Sequence, residues 1–338
     1  METITIFSPG EDDPHYNHGA VLYPFQGILY AMWQCSASDE DAPDTHVLYS
    51  RSTDGLVWEK AHELTACVKG EISTSGGWWS DSSGLIAFIN VWPDNHYGIR
   101  EGYTAFIRSC DGLSWSPRNV VRDIKGDTVP GIIEQDLHAL PGGRILTAFH
   151  LQPGLTVTPC YTDDPYGLSG WVRGNMEHLP YEGKGTSREL EPSWFLRSDG
   201  APVMLFRDQA GTCKKLASLS VDSGATWTRP VLTMVPDSRS KQCAGNLPDG
   251  SAYMVYYPSG TTDRFPMALA LSRDGFLFDR CFLLRSSEEL EPMSYPGKYK
   301  RPGYSYPKSV VWGSWLYIVY ATNKEEIQLT RIPLKSLE

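Results

Sequence analysis

A strand–turn–strand pattern that occurs six times constrains the fold of this chain more than any other feature. Each copy has an apolar strand, a tight turn that contains glycine, and a second apolar strand. Repeats of this length, each supplying a small antiparallel sheet, are typical of β-propeller blades. The sequence therefore predicts an all-β fold, a six-bladed β-propeller, with residues 1–338 as a single domain. The turn glycines are spaced 50 to 63 residues apart, at Gly27, Gly84, Gly143, Gly200, Gly250 and Gly313.

A second turn motif follows the first in five of the six repeats. Its aspartate can accept backbone N–H groups, its glycine supplies a positive φ, and its aromatic residue is expected to pack between neighbouring sheets. The sixth repeat lacks this motif, and its last strand, near Glu326–Arg331, leaves an open edge. We expect the N-terminal strand Thr3–Phe7 to cover that edge and close the ring. The five motifs are Ser52–Trp58, Ser109–Trp115, Thr162–Trp171, Ser220–Trp227 and Ser272–Phe278.

The overall charge disfavours two classes of partner. Forty acidic residues against 30 basic ones give a formal charge of −10, which argues against nucleic acid and against anionic membranes as partners. The sequence has no phosphate-binding glycine loop and no metal-ligand spacing, so we predict neither a cofactor nor a metal. Residues 1–8 do not resemble a secretory signal, and the seven scattered cysteines fit a reducing compartment. These features favour the cytoplasm, although a secreted protein whose signal has been removed fits them too.

Counting nine residues back from each turn glycine gives one polar residue in every repeat, although the strands that follow are apolar. Innermost propeller strands begin near the axis, so these residues are expected to ring one end of the central channel and form a ligand site. We include Gln135, beside Glu134, and Arg188 as candidate binding residues. Arg188, Lys241 and Arg301 lie close to the ring in sequence and would attract an anionic ligand. The six ring positions are His18, Ser75, Glu134, Glu191, Lys241 and Tyr304.

The motif at Ser220–Trp227 reads Ser-x-Asp-x-Gly-x-Thr-Trp, which is the Asp box. With its six repeats, the whole chain resembles the sialidase (neuraminidase) superfamily of six-bladed propellers. The segment from Glu191 to Arg207 is similar to the sialidase segment in which a glutamate precedes an arginine by 16 residues. The resemblance implies that Glu191 polarises a tyrosine nucleophile and that Arg207 and Arg264 bind the substrate carboxylate.

The resemblance also assigns the remaining catalytic roles. It implies that Tyr304 is the nucleophile, with Tyr306, two residues further along the same strand, as a competing candidate. The acid is expected in the segment before the first Asp box, at Asp41 or Asp44. Sialidases begin blade one with Arg-Ile-Pro, and here the aligned residue is His18. Histidine cannot form the two-pronged contact of an arginine with a carboxylate, so the sugar bound is expected to differ from that of a typical sialidase.

Hydrolysis of a glycoside needs an acid at the leaving oxygen and a nucleophile at the anomeric carbon. The residues therefore favour an enzyme that removes a terminal acidic sugar, sialic-acid-like or a uronic acid, from a glycan with retention of configuration. A second hypothesis is a lyase that cleaves a uronate by β-elimination, with His18 beside Tyr304 and with His96 and His150 as further candidates. A third is a propeller that binds carbohydrate without catalysis. The oligomeric state is not predicted.

Overall fold

The computed structural model describes residues 1–81, 83–94, 101–183 and 185–338. Its six antiparallel sheets follow one another around a ring, and the strands of each sheet run from the axis outward. Each sheet corresponds to one copy of the sequence repeat. The predicted six-bladed β-propeller is confirmed.

The first strand of the chain, β1, spans Glu2–Phe7 and belongs to the last blade. Blade one contains β2 (Tyr16–Phe25), β3 (Ile28–Ser36), β4 (His46–Ser52) and β5 (His62–Glu63). Blade two contains β6 (Glu71–Asp81), β7 (Gly84–Pro93), β8 (Tyr103–Ser109) and β9 (Asn119–Val120). Blade three contains β10 (Gly131–Ile133), β11 (His138–Ala139), β12 (Ile145–Leu151), β13 (Thr156–Thr162) and β14 (Val172–Arg173).

The second half of the ring has the same plan. Blade four contains β15 (Glu189–Leu196), β16 (Pro202–Asp208), β17 (Lys214–Leu219) and β18 (Val231–Pro236). Blade five contains β19 (Cys243–Asn246), β20 (Ala252–Tyr256), β21 (Met267–Ser272) and β22 (Arg280–Arg285). Blade six contains β23 (Tyr304–Trp312), β24 (Trp315–Thr322) and β25 (Glu326–Pro333), and a 3₁₀ helix at Leu334–Ser336 follows it.

The second turn motif forms the hairpin that its residues predict. At Ser220–Trp227, the Asp222 carboxylate accepts the N–H of Thr226 at 2.8 Å, and the Ser220 hydroxyl accepts the N–H of Gly224 at 2.9 Å. Gly224 has φ 88°. Hydrogen bonds from the side chain and backbone of Thr226 lower the pKa of Asp222. The turn is therefore stabilised by local hydrogen bonds to an ionised carboxylate.

Six apolar clusters lie between neighbouring blades, one at each seam of the ring. The aromatic residue of the second motif packs into five of them, as predicted. The seam between blades five and six has no such aromatic, because the repeat of blade six lacks the motif. Leu334 and Leu337 of the C-terminal 3₁₀ turn pack there instead. The five aromatic residues are Trp58, Trp115, Trp171, Trp227 and Phe278.

The ring closes as the sequence predicts. Strand β1 is the outermost strand of blade six and pairs antiparallel with β25, with Glu2 opposite Arg331 and Phe7 opposite Ile327. Burial of Ile6 against blades one and six anchors the strand. Nowhere in the described ranges is there a helix with the length and apolar character needed to cross a membrane.

Candidate active site

A polar cavity of about 290 Å³ lies at one end of the propeller axis. Every blade contributes to its wall, which explains why residues far apart in sequence meet there. Four of the six predicted ring positions line it: Ser75, Glu134, Glu191 and Lys241. In blade one, Gly19 lines the wall instead of the adjacent His18. In blade six, Tyr306 lines it instead of Tyr304, which lies two residues earlier.

A β-bulge in the innermost strand determines which side chain faces the cavity in blades one, four and six. In blades one, four and six, two residues of the innermost strand lie opposite one residue of the next strand. The first bulged residue has a positive φ, which is 63° for Gly19, 52° for Glu191 and 55° for Tyr306. A bulge re-aims the side chain that it carries. Glu191 and Tyr306 consequently project into the cavity.

The second bulged residue differs between the blades. It is Pro192 in blade four and Pro307 in blade six, and because proline has no N–H, this position of the bulge adds no backbone donor that would need a partner. In blade one the first bulged residue is glycine, and a Cβ on Gly19 would lie 3.1 Å from both Gln135 Nε2 and Ser75 Oγ. Neutral polar groups therefore occupy the space that a larger side chain would need there.

Tyr306 and Glu191 form the central contact of the cavity. The Tyr306 hydroxyl donates a short hydrogen bond to Glu191 Oε1, and Arg207 Nη1 donates to both carboxylate oxygens at 3.0 and 3.1 Å. Burial raises the pKa of Tyr306 well above its ordinary value, and the charge of Glu191 raises it further. Burial also opposes ionisation of Glu191, but Arg207, Lys241 and the Tyr306 hydroxyl outweigh it and bring the pKa to about 2. At rest, a neutral phenol faces an ionised carboxylate.

Tyr304 does not take part in this contact. It is fully buried in the core between blades five and six, where its ring lies 5.6 Å from that of Tyr320. Its hydroxyl donates to the carbonyl of Ser286 at 3.0 Å. The expected placement of Tyr304 beside Glu191 is therefore wrong, and the competing candidate, Tyr306, occupies that place. The bulge after Ser305 turns Tyr306 alone towards the axis.

Arg264, a further residue predicted for the site, packs against Tyr306. The Arg264 guanidinium carbon lies 5.5 Å from the centre of the Tyr306 ring, and its Nη1 donates to Ser305 Oγ at 2.8 Å. Arg264 therefore approaches Tyr306 from blade five, while Arg207 approaches Glu191 from blade four. Both arginines are largely buried, and a buried guanidinium cluster of this kind suits an anionic ligand.

His18 lies behind the Tyr306 ring, with the two ring centres 4.2 Å apart. It is only 1% exposed, and it is not among the described residues that line the cavity. Neither ring nitrogen has a hydrogen-bond partner in the described part of the chain. Burial lowers the pKa of His18 well below its ordinary value, and Lys324, Arg264, Lys241 and Arg301 lower it further. His18 is consequently a neutral, buried ring that supports Tyr306 from behind.

The segment between β3 and β4 was expected to supply an acid at Asp41 or Asp44. Asp44 instead accepts the N–H of Ala37 at 2.7 Å and stabilises the turn of that segment. Neither aspartate is among the described residues that line the cavity, whereas Glu40 is. The expected placement of Asp41 and Asp44 at the cavity is therefore corrected to Glu40, whose carboxylate pairs with Lys324.

The opposite wall is formed by blades two, three and five. Lys241 Nζ lies 2.7 Å from Glu134 Oε2 and donates to Gln135 Oε1 at 2.9 Å. Gln135 Nε2 in turn donates to the carbonyl of Gly19 at 2.8 Å and to Ser75 Oγ at 2.6 Å. This amide lies across the axis and closes the bottom of the cavity.

The other sequence candidates are distributed as follows. His150 lies in the wall with Nε2 3.5 Å from Glu134 Oε1. The Arg188 guanidinium donates to the Asp208 carboxylate at 2.8 and 2.9 Å. Arg188 is not among the described lining residues, so its expected contact with substrate is not supported. His96 lies outside the described residues. No three His, Cys, Asp or Glu side chains of the described ranges meet in a way that could hold a metal ion.

Charged side chains both line the cavity and surround it. The described lining contains two cations, Arg207 and Lys241, and three carboxylates, Glu40, Glu134 and Glu191. Three further cations lie close behind the wall, where they lower the pKa of His18: Arg264, Arg301 and Lys324. Glu40 and Lys324 were not assigned to the site from sequence, because each lies in the connection between the second and third strands of its blade, which counting back from the first turn does not reach.

The fold and this cavity define a class: six-bladed propellers with Asp-box turns and a charged axial pocket. The chain belongs to the BNR repeat-like domain family, whose sequence profile matches residues 27–318. No curated protein sequence matches it significantly.

Solved structures extend the likeness of fold over almost the whole chain. A protein of unknown function from Dyadobacter fermentans is 15% identical with a TM-score of 0.74, and the match covers 98% of each chain. The Hadza microbial sialidase Hz136 is 16% identical with a TM-score of 0.74, over 99% of this chain and 69% of that one. The intramolecular trans-sialidase from Ruminococcus gnavus is 12% identical with a TM-score of 0.70, over 99% and 98%. At these identities the likeness establishes a sialidase-like propeller fold.

Proposed function

We propose that this protein is a carbohydrate-active enzyme that removes a terminal acidic sugar from a glycan. In this proposal Tyr306 is the nucleophile, Glu191 is its base, and the reaction retains the configuration of the sugar. The observation that carries the proposal is the hydrogen bond from the Tyr306 hydroxyl to the ionised Glu191 carboxylate inside the cavity. Two of the similar structures are sialidases or trans-sialidases by name, which agrees with a glycan as substrate.

The pKa values of the pair suit a proton transfer that accompanies bond formation. Because the pKa of Tyr306 is raised and that of Glu191 is about 2, the proton stays on the phenol at rest. As Tyr306 Oη bonds to the anomeric carbon, the phenolic oxygen becomes a strong acid and its proton passes to Glu191. A neutral nucleophile also avoids repulsion from a carboxylate on the sugar.

The complete reaction needs a proton on the leaving side as well. When the anomeric C–O bond breaks, its electron pair stays on the leaving oxygen, which takes a proton from an acid. Water then gives a proton back to that group and attacks the anomeric carbon, and Tyr306 leaves with the proton held by Glu191. We place the acid at Glu40, the carboxyl that lines the blade-one side of the cavity.

The size and charge of the cavity support one acidic sugar unit as ligand. At about 290 Å³ it is at the small end of ligand cavities, which begin near 300 Å³. Gln135 is hydrogen-bonded to Gly19 and Ser75 at its lower end, an arrangement that favours the end of a glycan chain over an internal segment as ligand. Two guanidinium groups, that of Arg207 in the wall and that of Arg264 beside Tyr306, favour a carboxylate on that terminal sugar.

The test is product analysis by mass spectrometry in ¹⁸O-labelled water, with sialylated and uronate-terminated oligosaccharides as substrates. Hydrolysis places one ¹⁸O atom on the released sugar, and the substrate that reacts identifies the sugar. Glu191→Gln should abolish release of the sugar. The control is Arg188→Gln, which changes a residue just before β15 that pairs with Asp208, and this variant should still release the sugar.

Two other outcomes would contradict the proposal. An unsaturated product without ¹⁸O would mean β-elimination, with Tyr306 as the group that removes a proton. Saturable binding of an acidic sugar without any product would mean a binding propeller.

A further inference from the structure

The carboxylate of Glu40 is held at the cavity by a residue from the far end of the chain. Its Oε2 pairs with Nζ of Lys324, which lies in the turn between β24 and β25 of blade six. The two side chains are 28% and 4% exposed, respectively. The pair therefore crosses the seam where the ring closes, and only the carboxylate end reaches the cavity.

The backbone fixes Lys324 for this contact. Its φ is 57°, a conformation that only surrounding structure can maintain in a residue with a side chain. The Lys324 carbonyl accepts the N–H of Asn17 at 2.9 Å, and Asn17 Nδ2 donates to the carbonyl of Glu325 at 2.9 Å. The Lys324 ammonium lies 5.8 Å from the centre of the Tyr16 ring. Strand β2 thus holds the turn from which Lys324 reaches Glu40.

A second tether fixes the backbone of Glu40. The Asp39 carboxylate accepts the N–H of Glu40 at 2.8 Å and that of Tyr299 at 3.1 Å. Tyr299 belongs to the segment that precedes β23, the strand of Tyr306. The side chain of Glu40 is therefore held by Lys324 of blade six, and its backbone is held by Asp39, which also binds Tyr299 in the segment that leads into blade six. Glu40 is consequently not a freely moving surface carboxylate.

We infer that Lys324 is a positioning residue that holds Glu40 for proton transfer to the leaving oxygen. The inference rests on the proposed function, in which Glu40 is the acid. It assigns a role to the blade-six turn that neither the repeat nor the Asp boxes indicate.

Charged and hydroxyl groups from several elements surround Glu40. Lys324 from the β24–β25 turn and Arg301 from the segment before β23 are the cations near it. Tyr16 and Tyr306 face it from β2 and β23, and Asp39 and Asp41 neighbour it in sequence. Burial lowers the pKa of Lys324, and Glu40 opposes that effect. Of these groups, Lys324 is the one that pairs directly with the Glu40 carboxylate, so removing its ammonium should release that carboxylate from its position.

The first experiment compares a disaccharide and a 4-nitrophenyl glycoside of the same acidic sugar, beginning with sialic acid. An acid matters most for the poor leaving group. Lys324→Met should lower kcat/KM for the disaccharide about 10-fold and for the nitrophenyl glycoside less than threefold. Lys324→Arg, which keeps a cation in the β24–β25 turn, should restore most of the loss on the disaccharide. Lys335→Met, which removes an exposed lysine, is the matched control.

Equal losses on both substrates, with no rescue by Lys324→Arg, would show that Lys324 is merely structural and would overturn the inference. A wild-type protein that cleaves neither glycoside would overturn the proposed function and the role of Glu40 together.

The contact itself can be tested without turnover. In thermal unfolding, Glu40→Gln and Lys324→Met should each lower Tm, and the double variant should lose less than the two losses combined, because each single change breaks the same pair. Additive losses would show that the pair does not form in solution.

Discussion

The innermost strand of blade one has the same backbone bulge as those of blades four and six, but the residue at the first position of the bulge differs. All three contain a two-residue bulge whose first residue has φ between 52° and 63°. In blades four and six that residue is Glu191 or Tyr306, and the two side chains meet over the axis. In blade one it is Gly19, and amide and hydroxyl groups of neighbouring blades occupy the space.

The comparison shows that the repeat supplies a set of equivalent positions aimed at the axis. The chemistry of the site depends on which of these positions carries a side chain. Blade one contributes to the site through its β3–β4 segment and not through its bulge, since Glu40 lines the cavity. Substitutions at and beside the three bulges therefore test the comparison directly.

The largest effect is expected where the bulge residue is the reacting group. Tyr306→Phe removes the nucleophilic oxygen and should lower kcat roughly 10³-fold, equivalent to about 4 kcal/mol. Tyr304→Phe, two residues away in the core, should leave kcat within about threefold of the wild type. The measurement is initial rate on the substrate identified by product analysis. A larger loss for Tyr304→Phe than for Tyr306→Phe would contradict the assignment.

The next largest effect is expected on stability, when His18 of blade one is replaced by arginine. His18→Arg adds a cation in a buried position that Lys324, Arg264, Lys241 and Arg301 already surround. We expect the free energy of unfolding to fall by about 3 kcal/mol, because a buried charge without a partner is costly. Urea denaturation of His18→Arg and of the neutral control His18→Gln measures this. Equal stabilities would mean that the side chain reaches the cavity or solvent.

A smaller effect is expected in the pH dependence of stability. The folded pKa of Glu191, about 2, lies below its unfolded value near 4.3, so the stabilisation is present above pH 4.3 and is lost as pH falls towards 2. Between pH 5 and pH 3 the wild type should lose about 2 kcal/mol more than Glu191→Gln. Unfolding at several pH values tests this, and parallel curves for the two proteins would contradict it.

The smallest effect is expected for Gly19→Ala. The positive φ and the 3.1 Å approach to Gln135 Nε2 and Ser75 Oγ both oppose a Cβ, although these polar side chains can shift slightly. We expect a loss of about 1 kcal/mol, seen as a decrease of a few degrees in Tm. An increase in Tm would mean that this bulge has a different conformation in solution.

The hairpin turns and Asp boxes could be predicted from the sequence because their structure depends on a few adjacent residues. The position of Tyr306 could not, because counting back from the turns assumes that every turn is equally long. Two residues join the first two strands in blades one and six, whereas five residues, 197–201, join them in blade four. The count therefore selects Glu191 correctly and misplaces the other two positions, at His18 and Tyr304.

The electrostatic surroundings of the site were less predictable still. Glu40 and Lys324 each lie in the connection between the second and third strands of a blade, which differs in length and sequence from one blade to the next, and their contact joins residues 284 positions apart. Such a pair has no local signal. It depends on the closed ring, which brings the two ends of the chain together.

The pairing of β1 with β25 has a consequence for biosynthesis. Strand β1 can pair only after residues 326–333 have been synthesised, because β25 is its partner strand. Until then blade six lacks its outer strand, and the turn that carries Lys324 has no finished sheet behind it. Since blade six also supplies Tyr306 to the cavity wall, the site is completed only when strands from both parts of the sequence have come together.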